Sequence, residues 1–260
     1  MSDSATTGKG TSQQKAYRIQ AVFVKLGGEV HSLKDIAEAA NLKEPTAHSW
    51  LQAGCINGIF EQVGRGMYRL GPGSARLGMR GMSRTPDLDA TQAVLQELNR
   101  ATGGVAGYYA LRGDARVCKA HALGDHTPAS LNVDPLAMVN VGRSLRTGAS
   151  GRVILAHLDS FMQESILAEP VPEGVGPGVI RSNEALKATL DDILARGYAI
   201  GRQECMPGWD SVAAPVMWGA MIQGSILLLV PADQMPEDPR LMVEATLKAA
   251  AQLSLLLAAA

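Results

Sequence analysis

The stretch SLKDIAEAANLKEPTAHSWLQ, residues 32–52, reads as a helix, a sharp turn and a second helix. Ser32 can cap the first helix with its hydroxyl, and Asp35 three residues on completes a capping-box-like pattern. Leu33, Ile36 and Ala40 supply the buried face, and Ala37 is small enough for a close helix crossing. Asn41 falls at the turn, where a positive φ is often required and Asn tolerates it. Leu42 then plugs the turn into the core. Pro45 is acceptable only in a first helical turn, which fixes the start of the second helix near Glu44. Ala47, Trp50 and Leu51 face inward, leaving Glu44, Thr46, His48, Ser49 and Gln52 for the outer face.

On either side of this stretch the pattern continues. Upstream, Ile19, Val22, Phe23 and Leu26 fall at i, i+3, i+4 and i+7, predicting a helix from about Gln13 to Leu26 that Gly27-Gly28 ends. Downstream, Ile59-Phe60-Glu61-Gln62 and Met67-Tyr68-Arg69-Leu70 read as short strands around Val63-Gly64-Arg65-Gly66, with Gly71-Pro72-Gly73 closing the hairpin. Helix-turn-helix followed by a hairpin is the layout of a winged-helix DNA reader.

Charge agrees with that layout. The net charge of −1 conceals a basic head, with 11 Lys and Arg against 6 Asp and Glu in residues 1–84, and an acidic remainder, with 13 against 19. A basic head on an acidic body fits nucleic-acid contact by the head alone. At 260 residues the chain accommodates two modest domains. Cys55, Cys118 and Cys205 show no metal-ligand spacing, an odd count that suits a reducing cytoplasm. MSDSATTGKGTSQQ lacks an apolar signal core and reads as a flexible arm, assigned to residues 1–12. No run of about 18 apolar residues is visible, and the nearest candidate for a membrane span, Leu253–Ala260, is too short.

The head is therefore expected over residues 13–73, a linker or connecting helix over 74–86 ending at Thr85-Pro86, and a second domain over 87–260. That domain should open with a helix over Leu88–Ala101, stopped by Gly103-Gly104. Strands follow over Val105–Leu111 and Arg116–Leu123, then a helix over Ser150–Leu158 and a Pro/Gly loop over Glu169–Gly178. A helix over Asn183–Arg196, capped by Ser182 and stopped by Gly197, precedes strands over Tyr198–Arg202, Ser211–Val216 and Gly224–Val230; Asp238-Pro239 starts a last helix. The fold class is α+β: a winged helix-turn-helix domain plus a mixed domain.

Read together, these segments resemble the isocitrate-lyase-regulator (IclR) family of bacterial transcription regulators. The likeness spans residues from about 13 to 260 and is carried by Met67-Tyr68-Arg69-Leu70-Gly71, Gly148-Ala149-Ser150-Gly151-Arg152-Val153-Ile154-Leu155-Ala156, Arg196-Gly197-Tyr198-Ala199 and Val212-Ala213-Ala214-Pro215-Val216. The resemblance implies a C-terminal GAF-like domain that binds a small effector, and assembly as a homodimer or dimer of dimers. The recognition helix departs from the family: its proline is displaced by two places, Glu44 replaces a basic residue and Ser49 replaces the usual arginine. Loss of that arginine removes a phosphate clamp or a bidentate guanine contact, so the operator should differ from that of relatives.

A helix in the major groove offers its N-terminal residues to base edges. Thr46, His48, Ser49 and Gln52 are the candidates for base contact, and Lys43, Arg65 and Arg69 for phosphate, on a palindromic duplex operator. Trp50 belongs to the core rather than to base stacking. The resemblance places an effector pocket around Ala149, Ser150 and Gly151 at a helix start, with Cys205, Asp210, Ser211, Leu227 and Leu229 on strands and loops. Backbone N–H groups at a helix start suit an anion. Relatives that bind small organic acids carry serines where Leu227 and Leu229 stand, so an apolar wall here favours an apolar or aromatic effector. Trp209 either walls that pocket or packs beneath it, and Asp210 either reads the ligand or caps a turn.

No cofactor and no metal is expected: His121 and His126 flank Asp125 without a third and fourth ligand. No GxSxG or P-loop appears, and the chain is expected to be no enzyme. The alternative from another class is a GAF-like thiol redox enzyme or sensor using Cys118 and Cys205; a further one is an interaction module that no longer reads DNA.

Overall fold

The computed structural model describes residues 12–26, 29–82, 86–131 and 141–259. The expected arm falls outside these residues except for Ser12, as do Gly27-Gly28 and Thr85. The chain divides into two compact units, Met1–Ser83 and Arg84–Ala260.

In the first unit, α1 (Ser12–Lys25) is followed by β1 (His31–Ser32), α2 (Leu33–Ala39), α3 (Glu44–Ile56), β2 (Phe60–Gly64), β3 (Met67–Leu70) and α4 (Pro72–Met82). The local chemistry of residues 32–52 accounts for its centre. Ser32 Oγ accepts from the Asp35 N–H at 3.1 Å, Asn41 takes a φ of 52°, and Pro45 occupies the first turn of α3. Ile19, Val22, Ile36, Ala47, Leu51, Phe60 and Tyr68 close one small core, with Leu42 and Trp50 half-buried against it. β1 was not legible: two residues cannot display a period. It pairs antiparallel with β3, His31 opposite Tyr68, making a sheet of order β1-β3-β2. The segment Gly71-Pro72-Gly73 does more than close the hairpin, because Pro72 already begins α4. A Cβ on Gly71 or Gly73 would come within 2.4 or 2.7 Å of the Gly58 carbonyl oxygen, so both glycines permit a backbone contact.

The second unit contains α5 (Leu88–Thr102), β4 (Val105–Arg112), β5 (Ala115–Ala122), β6 (Gly142–Ser144), α6 (Gly148–Ala156), α7 (Ser160–Ala168), α8 (Asn183–Arg196), β7 (Ala199–Arg202), β8 (Trp209–Trp218), β9 (Met221–Pro231) and α9 (Arg240–Ala259). Its six strands form one antiparallel sheet of order β6-β5-β4-β9-β8-β7. Alternation along the strands divides the core. Ala106, Tyr108, Ile226 and Leu228 face α5 and α9, while Val105, Leu227 and Leu229 face α6, α7 and α8. Asp87 and Ser182 cap α5 and α8, and Gly103 and Gly197 end them in the left-handed conformation. β6 and α7 are additional to the expected elements; Asp159, whose side chain accepts from the Met162 N–H at 2.9 Å, is the start signal for α7.

The apolar tail is not confined to Leu253–Ala260: α9 spans 20 residues and is long and apolar enough to cross a membrane by length and composition. Its Val243, Thr246, Ala249, Ala250, Leu253 and Leu257 are buried in the core between α5 and the sheet, the behaviour of a core helix.

Candidate functional site

In the first unit, α3 presents Lys43, Glu44, His48 and Ser49 to solvent, with Thr46 half-buried beside them. Arg65 is exposed at the tip between β2 and β3. Arg69 on β3 is held by Glu61 on β2, Nη2 to Oε2 at 2.9 Å, with both side chains nearly half exposed. Gln52 is occupied: its amide donates to Gln62 Oε1 at 3.0 Å and to Tyr68 Oη at 3.2 Å. Those bonds tie the middle of α3 to the hairpin, with Tyr68 fully buried beneath.

In the second unit a cavity of about 380 Å³ lies on the sheet face opposite α5 and α9. Of the residues singled out from sequence, Ser150, Cys205, Leu227 and Leu229 line it. Ala149, Gly151, Asp210 and Ser211 are packed outside that lining. Gly151 leaves room for a guanidinium, since a Cβ there would stand 2.6 Å from Arg116 Nη1. Ser211 Oγ is directed to the Gly201 carbonyl at 3.4 Å. Asp210 accepts from Arg202 Nη1 at 2.5 Å and from the Gln203 N–H at 3.1 Å, and so holds Gln203 at a φ of 50° where the 203–208 turn begins. Trp209 lies outside the lining and meets His126 edge-on at 5.2 Å.

The N-terminus of α6 is built around missing side chains. Gly148 has a φ of 72°, and a Cβ on it would lie 2.1 Å from Cys205 Sγ. The turn carrying Cys205 is fastened to α6 by a buried ion pair: Arg152 meets Glu204 at 2.6 Å and also donates to the Ile200 carbonyl at 2.6 Å. Glycine at 148 and 151 therefore brings the 203–208 turn and β5 close to the helix start.

The residue that sequence reasoning missed is Arg116 on β5. It is 2 % exposed, donates to the Ser144 carbonyl and approaches Cys205 Sγ at 3.8 Å; its guanidinium lies 5.9 Å from the Tyr109 ring centroid. Its Nε, like Ser150 Oγ and His121 Nδ1, is buried with no hydrogen-bond partner among the described residues. The signal was parity: Arg116 shares its face of β5 with Cys118, and charge alone would have assigned it to solvent. A bulge between Tyr108 and Tyr109 then changes the register, pairing Tyr109 with Cys118 and Gly107 with His121. Both Cys118 and His121 consequently line the cavity despite their odd separation. Burial pushes the Cys118 thiol up to about 11, against a smaller opposing influence of Arg143, and burial likewise drives the Tyr109 hydroxyl well above its ordinary value. Among the described residues no group of three or more His, Cys, Asp or Glu could hold a metal.

Residues 82–255 match the family model described as the C-terminal domain of the bacterial transcriptional regulator IclR. The chain belongs to the IclR family. Relatives matched over most of both chains agree. The HTH-type transcriptional regulator BhcR of Paracoccus denitrificans is 27% identical over 233 residues, covering 86% of this chain and 79% of its own. The probable transcriptional regulator SauR of Cupriavidus necator is 26% identical over 211 residues, 78% and 79% of the two chains. Among solved structures, an IclR-type regulator from Silicibacter sp. TM1040 superposes with a TM-score of 0.60 at 22% identity over 96% of both chains. An IclR homologue of Microbacterium hydrocarbonoxydans, complexed with 4-hydroxybenzoate, gives 0.58 at 20% identity over 96% of this chain and all of its own. Family membership makes this IclR-type chain a transcriptional regulator, not an enzyme, and its second unit the GAF-like effector-binding domain. The thiol redox alternative resting on Cys118 and Cys205 finds no support in these relatives.

Proposed function

We propose that this regulator binds a palindromic duplex operator through α3 and the β2–β3 hairpin, and that a small organic anion with an apolar body, held in the second unit, adjusts the affinity. Lys43, Arg65 and Arg69 contact phosphates, and Thr46, His48 and Ser49 lie at or near base edges. Gln52 acts through its bonds to Gln62 and Tyr68, holding α3 and the hairpin at one spacing. The observation that carries the proposal is the exposed polar row on α3 in a chain whose other unit encloses a cavity beside a buried guanidinium.

Two copies read the two half-sites, as a homodimer or a dimer of dimers in the cytoplasm, with no membrane partner. Residues 13–73 serve as the DNA-binding head, 74–86 as the connector and 87–260 as the sensing body. The effector acts only through a difference in its affinity for two arrangements, so an energy of about 1–3 kcal/mol passes along residues 74–86. The 4-hydroxybenzoate bound by the Microbacterium relative supplies a first probe.

The test is a gel shift with DNA flanking the protein's own gene, at two salt concentrations, with and without 4-hydroxybenzoate, for the intact chain and Ser49→Arg. Binding is expected to weaken with salt and to change in affinity or sequence preference in Ser49→Arg. If Ser49→Arg leaves both untouched, α3 does not enter the groove.

A further inference from the structure

The helix assigned to the major groove carries an acid and neither lysine nor arginine. α3 reads EPTAHSWLQAGCI, with Glu44 in its first turn and exposed. The other acids around it are spoken for: Asp35 accepts from Ser32 at 2.7 Å, and Glu61 is paired with Arg69 at 2.9 Å. The Glu44 carboxylate has no hydrogen bond or ion pair among the described residues. The three cations assigned to phosphate all lie outside α3: Lys43 just before it, Arg65 at the hairpin tip and Arg69 on β3. Attraction to the duplex therefore comes from the flanks of α3, and α3 itself opposes it.

A carboxylate in a first helical turn favours the helix through the dipole, which is a folding role only. Facing DNA, the same carboxylate is repelled by every phosphate and adds to binding only where a base donates to it. In the major groove guanine offers N7 and O6 and thymine offers O4, all of them acceptors. Adenine sets an N7 acceptor beside its N6 donor, whereas cytosine presents N4–H with no acceptor of its own. A carboxylate thus accepts from cytosine, less well from adenine, and is repelled by the other two. The N-terminal residues of a recognition helix are the ones offered to base edges, and Glu44 is the first residue of α3. His48 follows one turn on, about 6 Å along the axis, and is likewise exposed. Gln52, a turn further, is taken up by Gln62 and Tyr68 of the hairpin.

We infer that Glu44 is a specificity-determining residue: it accepts from the N4–H of one cytosine in each half-site and repels duplexes that lack it. This rests on the assignment of α3 to the major groove. Discrimination then comes from the acid on α3, and attraction from the cations beside it.

The intact full-length protein, Glu44→Ala and Glu44→Gln are each used to select from randomised duplexes long enough for two half-sites, and the selected DNA is sequenced. The intact chain should favour cytosine over thymine by about tenfold at one position of each half-site. Glu44→Ala should lose that preference at that position alone, and should bind a scrambled duplex more tightly than the parent because a phosphate-repelling charge is gone. Glu44→Gln, whose amide both donates and accepts, should admit adenine there. N4-methylcytosine at the same position keeps the base pair and presents a methyl group in place of the major-groove N–H. By anisotropy it should weaken the intact chain about tenfold and leave Glu44→Ala unchanged.

If Glu44→Ala selects the same sequences with the same preferences, or the intact chain tolerates N4-methylcytosine at every cytosine of the half-site, the inference falls while α3 remains a base reader. A uniform change over all duplexes, with a lowered melting temperature, marks a folding role for Glu44 and overturns it too. If the intact chain selects no sequence at all, the inference and the assignment of α3 to the groove fall together.

Discussion

Two ion pairs, one in each unit, use the same chemistry for different ends. In the head, Arg69 and Glu61 meet at 2.9 Å with side chains 45% and 47% exposed. In the body, Arg152 and Glu204 meet at 2.6 Å with side chains 5% and 6% exposed. An exposed pair adds little to folding because water and salt already satisfy both partners. A buried pair is costly to break because either partner, left alone, is a desolvated charge. The head therefore keeps these charges open to solvent, while the body commits this pair to holding the 203–208 turn against α6. The same contrast separates the two candidate sites: His48 and Ser49 are open to solvent, whereas Arg116 and Ser150 are enclosed.

The sharpest way to break this contrast is to remove one partner of each pair. Glu204→Ala should cost the second unit about 3–5 kcal/mol, read by calorimetric unfolding. An effect no larger than that of the exposed pair would mean that water reaches Arg152.

Next in size is a pH effect centred on a buried thiol of the body. An unfolded cysteine ionises near the ordinary 9.0, whereas burial holds Cys118 protonated to about 11. A folded pKa above the unfolded one gives stability that is fully present below pH 9 and is lost as pH rises through 11. The loss amounts to about 2–3 kcal/mol at most. Burial also raises Tyr108 to about 12, adding to the decline at the alkaline end. Melting temperatures from pH 8 to 11 should fall for the intact chain, and Cys118→Ala should flatten the portion that begins near pH 9.

Smaller still is the turn between α2 and α3. Asn41 has a φ of 52°, so Asn41→Val should cost roughly 1–2 kcal/mol. Asn41→Gly should cost much less, and circular dichroism melts of the two variants compare them directly. The smallest effect is expected for Glu61→Ala, under about 1 kcal/mol in stability. DNA affinity of that variant should rise, because Arg69 is released and a negative charge leaves the hairpin; fluorescence anisotropy at low salt reads the change.

These contrasts also explain what the sequence displayed. The head was legible because its signals are local: the Ser32 cap, the positive φ of Asn41 and the Pro45 start each act within four residues. So were α5 and α8, each stopped by a glycine and the second capped by Ser182; the Asp87 cap of α5 is equally local. β1 and β6 were not, since strands of two and three residues are defined by their partners rather than by any pattern of their own. In the cavity, Ser150, Cys205, Leu227 and Leu229 came from the family resemblance, while Arg116 did not. Its burial depends on β6, on the space left by Gly151 and on the sulfur of Cys205, three contacts from distant parts of the chain.

The most direct test of the account is the affinity of His48→Ala for its operator and for a scrambled duplex of equal length, measured side by side by anisotropy at one salt concentration. If α3 reads bases, the variant loses about 1–3 kcal/mol on the operator and binds the scrambled duplex as the parent does. Equal losses on both duplexes, or no loss on either, would contradict an α3 that lies in the major groove with His48 at the bases.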